Sequence, residues 1–368
     1  MLIRFFCIVF CVLCFVGCPS HTYKYNSAGV HYAARGQYDL AIENFKLAVQ
    51  ASPKFIQSHL NLAQAYFMNE QLDESLASVE KVLELNPENV EAQLILAQIW
   101  MYQGKFETSE KYLQELLQKG KNKPLIFWTL GQLYFHLKKW DKAIIAYTNV
   151  LETKVESSRV YVQLGKAYLY REFEKYAPEK VMDEASFLAE LEEHYQGFDL
   201  SKSQTMFRKA VYLQPQNAEA HTMLGLLAFY SNNYEEAELE FKEAMKYTPE
   251  RTFLYLALAV TLTQMKQWSQ AEQYIIHAKE HMPEDPAAFM LHIFIKIEQE
   301  FYTEALDLCV QAVEKFPNFE EKLIVSLNQH QKASWCKQFC QDVNIKRKDF
   351  AEKVCKFYNQ LFTEKKEE

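Results

Sequence analysis

Residues 218–249 read AEAHTMLGLLAFYSNNYEEAELEFKEAMKYTP, and most of the chain is a set of variations on this stretch. The position of Gly225 recurs every 34 residues, at Gly29, Ala63, Ala97, Gly131 and Gly165 before it and at Ala259 and Ile293 after it. Only the step from Gly165 to Gly225 is longer, at 60 residues, which is one period plus 26. A constant period of this length predicts a repeat protein of eight units, with an insertion in the fifth.

The repeating positions resemble the tetratricopeptide repeat family, whose unit is a pair of antiparallel helices. The family pattern has a large residue at position 4, Leu at 7, Gly or Ala at 8, Tyr at 11, Ala at 20, an aromatic at 24, Ala at 27 and Pro at 32. The first repeat supplies Tyr25, Ala28, Gly29, Tyr32, Ala41, Phe45, Ala48 and Pro53, and the sixth supplies His221, Leu224, Gly225, Ala228, Ala237, Phe241, Ala244 and Pro249. The last repeat keeps Phe289, Ala305, Cys309, Ala312 and Pro317. The repeats start near Thr22, Ile56, Val90, Pro124, Ser158, Ala218, Thr252 and Pro286.

The resemblance implies an all-α, right-handed α-solenoid of about eight helical hairpins over residues 22–319. A composition with only 9 Gly and 10 Pro agrees with it, because a strand-and-turn architecture needs more of both. Neighbouring hairpins must stack, since one hairpin cannot bury its apolar face alone. Residues 320–368 are expected to form a C-terminal helical cap and tail, with apolar residues at helical spacing that include Phe350, Val354, Phe357 and Leu361.

The N-terminus predicts export from the cytoplasm. Residues 5–16 are continuously apolar but too short to cross a bilayer as a helix, as in the hydrophobic region of a signal peptide. The motif Phe15-Val16-Gly17-Cys18 resembles a bacterial lipoprotein signal. We therefore expect residues 1–17 to be removed, Cys18 to carry a lipid, and residues 18–21 to be a short tether facing the periplasm. The alternatives are that the apolar segment stays as an uncleaved membrane anchor, or that the protein is secreted without a lipid on Cys18.

The remaining cysteines are too sparse for a disulfide-built scaffold. They are Cys309, Cys336, Cys340 and Cys355, and a bridge from Cys355 to one of its two neighbours stays open. His277 and His281 lie four residues apart on a predicted helix, but two ligands make a weak metal site and surface histidines are the simpler interpretation. We expect no metal and no cofactor.

In tetratricopeptide repeats the first helix of each hairpin lines the concave face, with positions 2, 5, 6, 9, 12 and 13 exposed there. This resemblance predicts a partner-binding groove that combines amides with aromatic side chains. Amides suit a peptide backbone, and aromatic residues dominate binding hot spots. Alternatively, positions 12 and 13 pack against the next hairpin. The predicted groove residues are Gln64, Phe67, Gln98, Tyr102, Trp128, Gln132, Phe135, Lys166, Tyr170 and Tyr230.

The insertion, from about residue 171 to 200, predicts an extra amphipathic helix. Pro178 suits the first turn of a helix, and Val181, Ala185 and Leu188 follow at helical spacing. Such a helix could contact a partner or fold back over the solenoid, and the sequence leaves both open.

Several function classes are disfavoured by what the chain lacks. The net charge of -8 disfavours nucleic acid as a partner. There is no phosphate-binding glycine loop, no HExxH and no nucleophile elbow, so the sequence gives no support for catalysis. We therefore expect a non-catalytic scaffold in the bacterial cell envelope that binds other envelope proteins or peptides. The alternative is a carrier of a small hydrophobic ligand, associated with an envelope transporter. Homo-oligomerisation stays open, as does the choice of membrane.

Overall fold

The computed structural model describes residues 19–120, 122–176, 198–281 and 283–316. Within these ranges the chain is all-α, and its helices follow one another as antiparallel hairpins. The chain divides into two compact units, residues 1–171 and 172–368, with the division inside the fifth repeat.

The described residues of unit 1 contain four helical hairpins and most of a ninth helix. The first helix of each hairpin contacts the first helix of the next, so the four hairpins stack in chain order. The helices are α1 (Pro19–Ala33), α2 (Tyr38–Ala51), α3 (Ile56–Met68), α4 (Leu72–Leu85), α5 (Val90–Tyr102), α6 (Phe106–Gln118), α7 (Lys123–His136), α8 (Trp140–Glu152) and α9 (Ser158–Tyr176).

Within its described residues, unit 2 contains one helix followed by three hairpins. Each of these hairpins contacts the next along the chain. The helices are α10 (Ser201–Leu213), α11 (Ala218–Tyr230), α12 (Tyr234–Tyr247), α13 (Thr252–Gln264), α14 (Trp268–His281), α15 (Pro286–Glu298) and α16 (Tyr302–Lys315).

The predicted hairpin fold is confirmed, and first helices begin within three residues of the expected repeat starts. The described part of the insertion extends the first helix of the fifth repeat, because α9 continues as regular helix through Tyr176. The insertion helix around Pro178, the C-terminal cap, the signal segment with Cys18 and the three late cysteines lie outside the described residues.

The turn inside each described hairpin has one backbone geometry. At repeat position 15 the chain adopts a positive φ, and the next N–H donates to the carbonyl five residues earlier, as in Gln71 to Tyr66. This closure satisfies helix-end carbonyls that otherwise lack a partner. Position 15 is glycine only in the first and third hairpins, and the set is Gly36, Glu70, Gly104, Lys138, Asn232, Lys266 and Glu300. The turn is therefore imposed by hairpin packing, against the steric preference of most of these residues.

The two helices of a hairpin meet where a small residue faces a large ring. A Cβ at Gly131 would lie 2.4 Å from the ring of Tyr147, and one at Gly29 would lie 2.5 Å from Phe45. Gly225 faces Phe241 in the same way. Glycine is required at these positions because any side chain would occupy the space that the ring fills.

Polar departures from the family pattern also have partners. Ser75 stands where alanine is preferred, and its hydroxyl donates to the Ala63 carbonyl at 2.8 Å. His59 Nε2 lies 2.9 Å from the Pro53 carbonyl, which can only accept, so the ring N–H donates and ties one hairpin to the preceding loop. The same bonds recur one repeat later, at Ser109 and Gln93.

We predict that Gly131→Ala lowers the urea midpoint of unfolding and reduces the free energy of unfolding by up to about 2 kcal/mol. Overpacking costs about 1–3 kcal/mol, and the better helix propensity of alanine returns about 1. Adding Tyr147→Leu copies the Ala97 and Leu113 pair of the third repeat and should restore part of the loss. Additive effects of the two substitutions in a double-mutant cycle would contradict the packing account.

Candidate functional site

A groove with a volume of about 1020 Å³ runs along the first helices of unit 1. Helices α3, α5 and α7 supply most of its lining residues, and α9 adds Arg159 and Gln163. Its side chains come mainly from repeat positions 2, 5, 6, 9, 12 and 13. They include seven of the ten predicted groove residues, namely Gln64, Phe67, Gln98, Tyr102, Trp128, Gln132 and Phe135.

Side-chain amides form a polar line along the groove. Gln98 Nε2 donates to Gln132 Oε1 at 3.3 Å, which joins neighbouring repeats. A similar link runs from Gln57 to Asn61 at 3.0 Å and on to Asn26 at 3.1 Å. An amide has a carbonyl acceptor and two N–H donors, so each of these bonds leaves hydrogen-bonding capacity unused. The line can therefore donate to and accept from a guest.

An apolar ridge lies beside the amides. Tyr102 is 69% exposed, and its ring meets the edge of Phe67 with centroids 5.0 Å apart. Met68 is also exposed and lines the same part of the groove. Exposed rings and a flexible thioether can adapt to different apolar side chains. This ridge offers anchoring surface without fixing one guest shape.

An indole and a guanidinium form one end of the groove. Arg159 stands over Trp128, 5.1 Å from the ring centroid, and Trp128 also packs against Tyr147 with centroids 5.5 Å apart. Burial raises the pKa of Tyr147, and the nearby Arg159 charge opposes this only in part, so the phenol stays neutral at pH 7. Arg159 and Gln163 were missing from the predicted set, although both occupy inner positions of the fifth repeat.

Three predicted groove residues lie elsewhere. Tyr170 stacks on Trp140 with centroids 5.3 Å apart, and Phe135 packs against both rings. Phe135 therefore has a structural role as well as lining the groove. This agrees with the alternative in which side chains at positions 12 and 13 pack against the next hairpin. Lys166 does not line the groove, and Tyr230 belongs to unit 2, where it meets Phe229.

Unit 2 contains a partly buried charged cluster between the hairpin of residues 252–281 and the hairpin of residues 286–315. Lys296 Nζ lies 2.5 Å from Glu272 and 2.6 Å from Glu304. Burial strongly disfavours the charged lysine, but the two carboxylates outweigh it and raise the pKa of Lys296. Burial, reinforced by the Lys279 charge, lowers the pKa of His292 to about 4, so this imidazole is neutral at pH 7. The cluster is internally compensated and joins the two hairpins.

The histidine pair is stacked. His277 lies between Tyr255 and His281, with ring centroids 3.8 Å and 4.2 Å apart. Among the residues that the structure describes, no three His, Cys, Asp or Glu side chains are grouped to hold a metal ion. Cys309 is fully buried and occupies position 24 of the last repeat.

Family models place the chain among known repeats. One model, described as tetratricopeptide repeat, matches residues 32–99 and 228–292. A second model with the same description matches residues 101–156 and 188–250. Together the matches cover more than half of the sequence, and the chain belongs to the tetratricopeptide repeat family. This fold commonly mediates protein–protein interaction. No curated protein matches the chain.

Two solved structures are similar to this chain at low sequence identity. A human IFIT1 dimer with m7Gppp-AAAA is 16% identical with a TM-score of 0.47, over 76% of this chain and 68% of that one. A tetratricopeptide repeat protein from Parabacteroides merdae ATCC 43184 is 14% identical with a TM-score of 0.34, over 92% of this chain and 99% of that one. Within the described part of the chain, no helix combines the length and apolarity needed to span a bilayer.

We predict that Phe135→Ala destabilises the protein by about 3 kcal/mol, because it removes a ring from the cluster with Trp140 and Tyr170. Tyr102→Ala should cost about 1 kcal/mol or less, since that ring is exposed and has one aromatic neighbour. Urea unfolding followed by circular dichroism measures both. Equal losses for the two variants would show that Phe135 is not part of a cohesive cluster.

Proposed function

We propose that unit 1 is a non-catalytic docking module whose groove binds an extended, weakly charged peptide segment of a partner protein. The observation that carries this proposal is the line of incompletely used amides beside an exposed aromatic ridge. Every residue of an extended guest brings an N–H and a C=O that must stay hydrogen-bonded on leaving water. Amide side chains can satisfy both groups, and the ridge can take the guest's apolar side chains.

The charges of the groove constrain the guest. Its lining includes one carboxylate, Glu91, and one guanidinium, Arg159, among mostly neutral residues. A highly charged guest would lose hydration here without gaining enough ion pairs to offset the loss. A segment rich in apolar and neutral polar residues fits this lining better.

A hydrocarbon-like ligand is the second candidate, and the aromatic ridge favours it in part. Such a guest would cover the remaining donors and acceptors of Gln98 and Gln132 without bonding them, and burying a polar group without a partner costs about 1–3 kcal/mol. A peptide avoids this cost, so the amides favour the peptide. Native mass spectrometry of gently purified protein separates the two, because a carrier retains a small organic molecule.

We propose further that the module is tethered by a lipid on Cys18 and works in the bacterial cell envelope, where its partners would be envelope proteins. The motif Phe15-Val16-Gly17-Cys18 after an apolar run supports this part of the proposal. A tether holds the groove close to the membrane, which raises its effective concentration toward membrane partners.

We predict that Tyr102→Ala weakens guest binding about tenfold, which corresponds to about 1.4 kcal/mol. The probe is a set of peptides selected on the full-length protein from a random display library, with affinities measured by fluorescence anisotropy. Gln98→Ala should also weaken binding, by leaving a peptide bond unpaired. Tyr212→Ala is the matched control, because Tyr212 is 86% exposed in unit 2 and outside the groove. Peptides that bind the Tyr102→Ala protein as tightly as the unchanged one would rule the groove out.

We predict that Cys18→Ser abolishes labelling of the protein by radioactive palmitate in a bacterial host and moves it from the membrane to the soluble fraction. Cys14→Ser is the control, because Cys14 lies inside the segment expected to be removed. If the Cys18→Ser protein stays membrane-bound, an uncleaved anchor replaces the lipid.

A further inference from the structure

Unit 2 differs from unit 1 at the positions that line the groove. Position 9 is Gln in three repeats of unit 1, whereas in the repeats of α11, α13 and α15 it is Leu226, Val260 and Phe294. The neighbouring positions 5 and 6 are mostly apolar too. The half-buried apolar members that define this inner face of unit 2 are Met223, Leu256, Ala257, Val260, Met290 and Leu291.

Helix α13, the middle inner helix of unit 2, is apolar on nearly every side. The sequence of α13, TFLYLALAVTLTQ, carries no charged residue, and Leu254, Leu258 and Leu262 on its other side are fully buried. A helix that is apolar all round is normally covered on all sides. The inner face therefore needs an apolar cover, and in its lack of amides it differs from the groove of unit 1.

The inner face of unit 2 lacks amide side chains, and this limits the conformation of a segment that can cover it. An extended segment would bring unpaired backbone groups to a surface that cannot bond them. An α-helix satisfies its own backbone and presents side chains alone, so it is the conformation that fits this face. The occupant is thus an amphipathic helix.

The chain itself supplies such a segment. Residues 346–362 read KRKDFAEKVCKFYNQLF, and Phe350, Val354, Phe357 and Leu361 follow the spacing of one helix face. Lys356 and Asn359 fall on the opposite face. The segment begins with three basic residues, whereas an acidic border lies at the carboxyl end of α15, at Glu298 and Glu300.

The connection is long enough. Phe316 follows α16, and more than thirty residues separate it from Phe350. Each extended residue spans about 3.3 Å, while a 13-residue helix is about 20 Å long, so the segment can reach any point of the face. The link also keeps its effective concentration high.

We propose that residues 346–362 dock as an amphipathic helix on the inner face of unit 2. Phe350, Val354, Phe357 and Leu361 cover the apolar residues of α11, α13 and α15, and the basic start meets the acidic border. Unit 2 is then occupied by its own chain. This inference does not depend on what the groove of unit 1 binds.

Photo-crosslinking of the full-length protein tests the contact directly. Benzoylphenylalanine replaces Phe357, and crosslinked peptides are identified by mass spectrometry after irradiation. We expect crosslinks to residues 218–230, 252–264 and 286–298 of the same chain. The matched control carries the probe at Asn359, on the opposite face, and should give at least fivefold less of these products. The proposal would be overturned by crosslinks to residues 177–197, to unit 1 or to a second, isotope-labelled copy of the chain. It would also be overturned if no crosslinked product formed.

Hydrogen exchange gives an independent readout. The pair Phe357→Glu and Leu361→Glu should release the segment and raise exchange in α13 and α15 while leaving α3 and α5 unchanged. Asn359→Glu adds the same charge on the opposite face and should leave exchange as in the unchanged protein. Unchanged exchange in the double variant would contradict docking. A rise in exchange across the whole chain would mean that the double variant has lost its fold. The crosslinking experiment then decides, because it introduces no destabilising charge.

Discussion

The close approach of two helices at repeat position 8 is the constraint on which the rest of this structure depends. Gly29, Gly131 and Gly225 each face a ring that fills the space of a missing side chain. Where position 8 is Ala, position 24 is aliphatic, as in Ala63 with Val79 and Ala259 with Ile275, and each of these pairs lies in one core cluster. The last repeat inverts the order, with Ile293 and Cys309 both fully buried. Because large and small are exchanged within each pair, the hairpins keep a similar separation and can stack.

Regular stacking places equivalent residues of successive first helices side by side. Residues 34 positions apart in the sequence therefore become neighbours on one surface. In unit 1 the aligned side chains include Gln98 and Gln132, which are 34 residues apart and hydrogen-bond to each other. In unit 2 the corresponding positions are apolar, so the two halves of one repeat array offer different surfaces. One chain thus presents an amide-lined groove in unit 1 and an apolar inner face in unit 2.

The candidate site was predictable wherever position within the repeat decided which way a side chain points. Gln64, Gln98, Tyr102, Trp128 and Gln132 line the groove for this reason. Tyr170 satisfied the same rule but stacks on Trp140, because ring packing depends on which neighbours the next hairpin brings. Arg159 was left out of the prediction although it occupies an inner position, and its place over Trp128 is a contact between two repeats that spacing does not reveal.

The sequence by itself determined the repeat period, the helical class and the start of nearly every first helix, because these follow from local apolar spacing and small residues. Only the tertiary structure decided the positive φ at Glu70, Lys138 and Lys266, because these residues are not glycine and the sequence gives no sign of a left-handed turn there. It also decided the continuation of α9 to Tyr176, the pairing of amides along the groove and the burial of His292 as a neutral imidazole. These features arise from contacts between hairpins, and their energies are set by neighbours distant in sequence.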